Sequence, residues 1–212
     1  MLDHSFYITT PRLAITYFNP RRESHIAFTL ELYKDYKTTD ENGNVKYTIP
    51  DRAAAIATME TREEQIETTG FGRYLVSVLP SASDPNEDIA ERVQKSTPVG
   101  LVALNLRGAD TPPLPDIGFN LLPSTRGKGY ATEATEGLTK WYEKEKGVTE
   151  ILGYCDDDNF ASIKVLERTG FKLLGERDIA ALTNPGNVSQ YSSAKMLVWT
   201  RGLKKDPTEY GL

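Results

Sequence analysis

The stretch N-L-L-P-S-T-R-G-K-G-Y-A-T-E-A, from Asn120 to Ala134, holds the residues of this sequence best suited to chemistry. Gly127 and Gly129 admit positive φ and allow a ligand to approach the backbone closely. A helix starting just after them leaves its first N–H groups unpaired at the positive end of its dipole, which is an anion site. Arg126 and Lys128 add cationic side chains. The combination reads as a pyrophosphate cradle, set against the plainer reading of a strand-to-helix turn. Two known phosphate motifs fail here. A nucleotide P-loop needs glycine where Leu122 stands and a hydroxyl residue where Gly129 stands. A dinucleotide fingerprint needs a third glycine in place of Thr132 and an acidic partner nearer than Asp156.

Other reactive residues are sparse. Cys155 is the only cysteine and neither His4 nor His25 stands in a recognisable partner pattern, so it reads as a buried strand-end thiol, not an acyl-accepting nucleophile. One cysteine and two histidines also exclude a disulfide scaffold and disfavour any metal site. Asp156, Asp157 and Asp158 read as helix capping and solvation, with steering of a cationic amine as the sharper alternative. Lys164 and Arg168 share one helix face as solvated charges; the alternative is contact with a ligand phosphate.

These residues need elements to position them. Phe6 to Phe18 alternates as a strand or strand pair broken by Pro11, and Arg22 to Tyr36 has helical spacing. Asp40 to Asn44 is a turn. Asp51 caps a helix that Gly70 closes. Strands follow at Tyr74–Leu79, Val99–Leu106 and Ile117–Leu122, with residues 80–98 as a polar surface insertion between the first two. A helix from Gly129 to Lys146 carries the core stripe Ala134, Leu138 and Tyr142 and ends at Gly147. Ile151–Cys155 is a strand, Asn159–Thr169 a helix, and Phe171–Glu176 and Ala194–Arg201 the last strands. That order predicts a mixed α/β fold with a partly antiparallel sheet.

Length and charge narrow the class. A chain of 212 residues, 39% apolar and 26% charged, folds around its own core. It is expected to form one domain over 1–203 with a flexible tail over 204–212. Net charge −5 disfavours a nucleic-acid partner. No apolar run is long enough to span a bilayer and no leader pattern opens the chain, so no membrane partner and a cytoplasmic location are expected.

R-G-K-G-Y-A-T-E-A after a strand, followed by N-F-A-S-I-K-V-L-E-R-T-G-F from Asn159 to Phe171, resembles the GNAT superfamily of acetyl-CoA-dependent N-acyltransferases. The T-P-R-L opening (Thr10 to Leu13) and the terminal L-V-W-T-R strand are similar to its ribosomal-protein N-terminal acetyltransferase branch. The resemblance implies a three-layer α/β (α+β) fold whose largely antiparallel, mixed sheet splays between two parallel strands. It implies acetyl-CoA as co-substrate, no metal, and an amine acceptor, either a small molecule or a peptide N-terminus. The protein would be a monomer or homodimer.

The resemblance also implies residues. Arg126, Gly129 and Ala131 fill the defined positions of the pyrophosphate loop, with Gly127, Lys128, Tyr130 and Thr132 beside them. Leu121 and Leu122 would line the pantetheine, and Asn159 and Ser162 would reach its arm or thioester end. Leu166 departs from the pattern, standing where many relatives carry a general-acid tyrosine. Ser162 is then the expected acid, Tyr154 a positioning or relay group, and Asp116 a candidate base competing with a plain turn residue. The alternative function is a non-catalytic acyl-CoA-binding module of the same fold. The acceptor would be selected by the first helix pair, the Thr111–Pro115 turn and the Thr183–Tyr191 loop.

Overall fold

Local chemistry sets most element boundaries. Helix α1 runs Glu23–Tyr33 and helix α2 Arg52–Thr69. Asp51 opens α2 by accepting the Ala54 N–H through its side chain, at 2.9 Å. Gly70 closes it in the left-handed conformation, φ 75°, and donates back to the Ile66 carbonyl. The computed structural model describes residues 2–39, 45–82, 87–108, 111–178 and 195–212. The expected turn at Asp40–Asn44 and the Thr183–Tyr191 loop lie outside them.

The strands are β1 (Tyr7–Thr9), β2 (Leu13–Thr16), β3 (Lys37–Thr39), β4 (Val45–Tyr47), β5 (Gly72–Val78), β6 (Thr97–Asn105), β7 (Asp116–Leu121), β8 (Ile151–Cys155), β9 (Lys172–Asp178) and β10 (Lys195–Arg201). The remaining helices are α3 (Ile89–Gln94), α4 (Tyr130–Lys146) and α5 (Phe160–Arg168). The fold is mixed α/β, with a mostly antiparallel sheet ordered β1-β2-β5-β6-β7-β8-β10-β9 and flanked by helices. The β3–β4 hairpin stands apart from that sheet.

Contacts divide the chain into two units: Met1–Val102 with Phe119–Ala134, and Ala103–Gly118 with Thr135–Leu212. The line falls inside β6, β7 and α4, not in a linker. In the first unit β1 and β5 both pair antiparallel with β2, in registers that set Ile8 opposite Ile15 and Leu13 opposite Val78. Helices α1 and α2 pack Ile26, Phe28, Leu32, Ala55 and Met59 against Phe18, Leu75 and Leu101.

In the second unit β7 and β8 are parallel, joined at Asp116–Leu152 and Ile117–Gly153. A parallel pair thus stands within a sheet that is otherwise mostly antiparallel, as expected. β10 pairs antiparallel with β8 and β9, with a register shift between Val198 and Trp199. Leu152, Tyr154, Met196 and Val198 form this unit's core cluster.

Residues 80–98 are not only a polar loop: Asp88 caps α3 by accepting the Ala90 N–H, and Val93 is buried with Ala14 and Leu79. Residues 204–212, expected to be a flexible tail, carry local structure. Pro207–Tyr210 forms a 3-10 turn capped by Asp206, Tyr210 hydrogen-bonds Glu150, and Leu212 packs on the second unit's core.

Candidate functional site

The glycine loop is built from the end of β7 onward. Leu122 donates its N–H to the Val99 carbonyl at 3.0 Å, tying the exit of β7 to β6. At Gly100 an added Cβ would lie 2.1 Å from Leu121 Cδ2 and 2.7 Å from the Asn120 carbonyl, so only glycine admits this approach. Pro123–Thr125 makes a 3-10 turn, and Thr125 Oγ1 donates to the carbonyls of Val99 (3.0 Å) or Leu122 (2.8 Å). Arg126 turns back, donating through Nε to the Leu121 carbonyl at 3.1 Å.

Gly127 and Gly129 take φ of 77° and 80°, the conformation that their positions demand. Both glycines, Arg126 and Lys128 are exposed; Tyr130, Ala131 and Thr132 are half-buried. The backbone N–H groups from Gly129 to Thr132 donate to no other group among the described residues; the first helical bond at this end runs from Glu133 N–H to the Gly129 carbonyl, 3.1 Å. The outcome is a row of free donors at the head of a 17-residue helix.

In the second unit, Asn159 is the N-cap of α5: its Oδ1 accepts the Ser162 N–H at 3.1 Å. The capping role assigned in sequence to Asp156–Asp158 therefore falls to Asn159, which precedes the first helical residue. Ser162 is half-buried, and its hydroxyl bonds no other group among the described residues. Leu166 is buried against β8; a Cβ on Gly153 would lie 2.8 Å from Leu166 Cδ2. Lys164 and Arg168 are exposed.

Asp116 and Tyr154 are brought together by a residue that sequence reasoning missed. Arg107 forks onto Asp116, with Nε to Oδ2 at 2.6 Å and Nη2 to Oδ1 at 2.8 Å. Its guanidinium also lies 5.9 Å from the centre of the Tyr154 ring. Asp116 is 1% exposed and Tyr154 is buried. A carboxylate with both oxygens so engaged anchors an arginine, which weighs against the expected role as general base. Nothing in the spacing marks Arg107; only the folded chain brings it to Asp116.

Cys155 is buried at the end of β8, and burial pushes its thiol pKa up, away from the reactive thiolate. Among the described residues no group of three His, Cys, Asp or Glu side chains is placed to hold a metal ion. No described helix is long and apolar enough to cross a membrane.

Comparison with known proteins accounts for these features. Residues 16–172 match the acetyltransferase (GNAT) domain. A stretch of 58 residues is 41% identical to the uncharacterized N-acetyltransferase YjdG of Bacillus subtilis, covering 27% of this chain and 34% of that protein. The matched stretch thus spans about a third of the curated relative's length. Among solved structures, the acetyltransferase from Salmonella typhimurium that modifies the N-terminal serine of ribosomal protein L7/L12 aligns with TM-score 0.62 at 15% identity, over 94% of this chain and 100% of that one. The microcin C7 self-immunity acetyltransferase MccE, solved with acetyl-CoA and AMP, aligns with TM-score 0.64 at 15% identity, over 92% and 94%. At such identities the structural likeness establishes the fold, and the domain match carries the family. The chain belongs to the GNAT acetyltransferase family.

Proposed function

We propose that this protein is an acetyl-CoA-dependent N-acetyltransferase that transfers acetyl directly to a primary amine, either a protein N-terminus or a small amine. The observation that carries the reading is the row of free N–H groups from Gly129 to Thr132 at the head of α4, behind a loop with two glycines at positive φ, the donor set a pyrophosphate takes. Acetyl-CoA as co-substrate is supported by MccE, and an amine acceptor by the Salmonella enzyme's serine N-terminus. The alternative of a non-catalytic module draws no support from these relatives, which carry acetyltransferase names.

In this reading the amides from Gly129 to Thr132 take the pyrophosphate, with Arg126 and Lys128 adding positive charge. The end of β7, with Leu121 and Leu122, borders the pantetheine, and a backbone N–H there stabilises the developing oxyanion. Ser162, in the first turn of the helix that Asn159 caps, supplies the acid. The amine nitrogen bonds to the carbonyl carbon, the carbon–sulfur bond breaks, and the leaving thiolate takes the Ser162 proton, which water restores. Tyr154 positions the acceptor. With Asp116 held by Arg107, the amine's own proton passes to water.

The test joins binding and turnover. Saturating coenzyme A should raise the melting temperature by on the order of 5–10 °C. Thiol release from acetyl-CoA should appear with at least one member of a panel of amines and peptides. Gly129→Asp should abolish coenzyme binding in a folded protein, because it adds a side chain and a repelling charge inside the cradle. A wild-type protein that neither binds coenzyme A nor releases thiol would overturn the proposal; binding without any turnover would leave only the non-catalytic module.

A further inference from the structure

The N-terminal turn reaches the glycine loop through contacts that the coenzyme motif does not contain. Thr10 and Leu13 close the turn by two reciprocal bonds, Thr10 N–H to the Leu13 carbonyl (2.9 Å) and Leu13 N–H to Thr10 Oγ1 (3.1 Å). The Arg12 carbonyl accepts the Leu79 N–H at 2.9 Å, so the backbone bearing Arg12 is fixed to the core strands. Arg12 then meets Glu133, in the first turn of α4. Glu133 Oε1 accepts Thr10 Oγ1 at 2.6 Å and the Arg12 N–H at 2.8 Å, while Oε2 accepts Arg12 Nε at 2.6 Å. Burial pushes the Glu133 pKa up, but these donors together hold it below the usual carboxylate range.

The remaining arm of the guanidinium acts on the loop itself. Arg12 Nη1 donates to the Lys128 carbonyl at 3.0 Å, and its guanidinium lies 5.0 Å from the centre of the Tyr130 ring. In a trans peptide the C=O and the following N–H point opposite ways, and no cis peptide occurs among the described residues. Holding the Lys128 carbonyl toward Arg12 therefore turns the Gly129 N–H the other way. Without that tie the Lys128–Gly129 peptide, whose C-terminal residue Gly129 can take either sign of φ, can flip and present a carbonyl where an anion needs a donor.

We propose that Arg12 and Glu133 form a clamp that preorganises the loop for a pyrophosphate: Glu133 orients Arg12, and Arg12 is a positioning residue that fixes the Gly129 N–H as a donor. The inference rests on the coenzyme reading above. It differs from a simpler role in which Arg12 itself pairs with the phosphates. A clamp needs Glu133, whereas a phosphate-binding Arg12 would be freed by its loss.

Calorimetry on the full chain separates them, with coenzyme A and S-acetylpantetheine, which lacks the pyrophosphate, as probes. Arg12→Gln and Glu133→Gln should each weaken coenzyme A binding about tenfold or more, the size expected for one lost charge-assisted hydrogen bond. The double variant should be no worse than the weaker single one. Arg12→Lys, which keeps the charge but not the fork, should not restore affinity. S-acetylpantetheine affinity should stay within twofold in every variant, a result that damage to the fold would not leave intact. Tighter or unchanged coenzyme A binding in Glu133→Gln overturns the clamp, as does an equal loss for both probes. A wild-type protein that binds no coenzyme A overturns the coenzyme reading and the clamp with it; unaffected variants of a binding wild type overturn the clamp alone.

Discussion

Ser162 lies in the first turn of α5 with its N–H taken by Asn159 Oδ1 and its hydroxyl unbonded among the described residues. Asp116 is its opposite: a carboxylate with both oxygens held by one guanidinium. Asp116→Asn therefore tests a structural role against a chemical one. Asp116→Asn removes the charge from a fork that the half-buried Arg107 makes to a buried carboxylate, and the expected cost is roughly 1–3 kcal/mol. Thermal unfolding should show a fall of several degrees, while the pH dependence of kcat/KM keeps its shape once an acceptor is known. An unchanged melting temperature with loss of the acidic limb would return Asp116 to the role of base. The presence of Asp116 at the strand was legible in the sequence, but its partner was not. Arg107 and Asp116 face each other only after the intervening chain has turned.

At the scale of elements, α1 carries a titration that the fold must accommodate. His25 is buried and accepts the Asn19 N–H through Nδ1 at 3.0 Å. Burial, helped by the charges of Arg22 and His4, lowers its pKa from 6.5 to about 4. The unfolded chain therefore binds a proton near pH 6.5 that the native state refuses until about pH 4. The resulting stability is present above pH 6.5, falls as the pH drops through that window, and levels off below it; its size is at most roughly 3 kcal/mol. Urea unfolding at a series of pH values should show this slope, and His25→Asn, whose side-chain oxygen can still accept from Asn19, should flatten it. A slope unchanged in that variant would place the titration elsewhere. Glu133, with its depressed pKa, contributes stability above the ordinary carboxylate range that is lost only as the pH falls below it. Helix α2 was legible because Asp51 and Gly70 act on backbone groups within four residues. Helix α3 was less so: it is short and polar, and its one buried side chain, Val93, gains its place only from Ala14 and Leu79.

For the whole molecule, the C-terminal residues count as structure. Removing residues 204–212 strips Leu212 from the second unit's core and Tyr210 from Glu150. Burial of those two side chains is worth roughly 1–2 kcal/mol, so deletion should lower the melting temperature by about 2–8 °C. A deletion variant that melts with the full chain would show that these contacts add nothing. The tail escaped sequence reading because K-K-D-P-T-E-Y-G-L has no hydrophobic period; its anchoring comes from a 3-10 turn that places Leu212 on residues distant in sequence.

The sequence alone determined what depends on a few neighbouring residues. The two glycines adopt the positive φ that the loop needs, α4 starts directly after them, and Ile151–Cys155 forms the strand that its apolar run predicts. Backbone sterics and cap hydrogen bonds act over one turn of chain, so residue types at fixed offsets reveal them. The tertiary structure alone decided which charges meet. Arg12 and Glu133 stand 121 positions apart, Gly100 admits Leu121, and Arg107 claims Asp116. Those partnerships follow from strand order and register, which arise when many side chains bury together and which no short stretch of sequence contains.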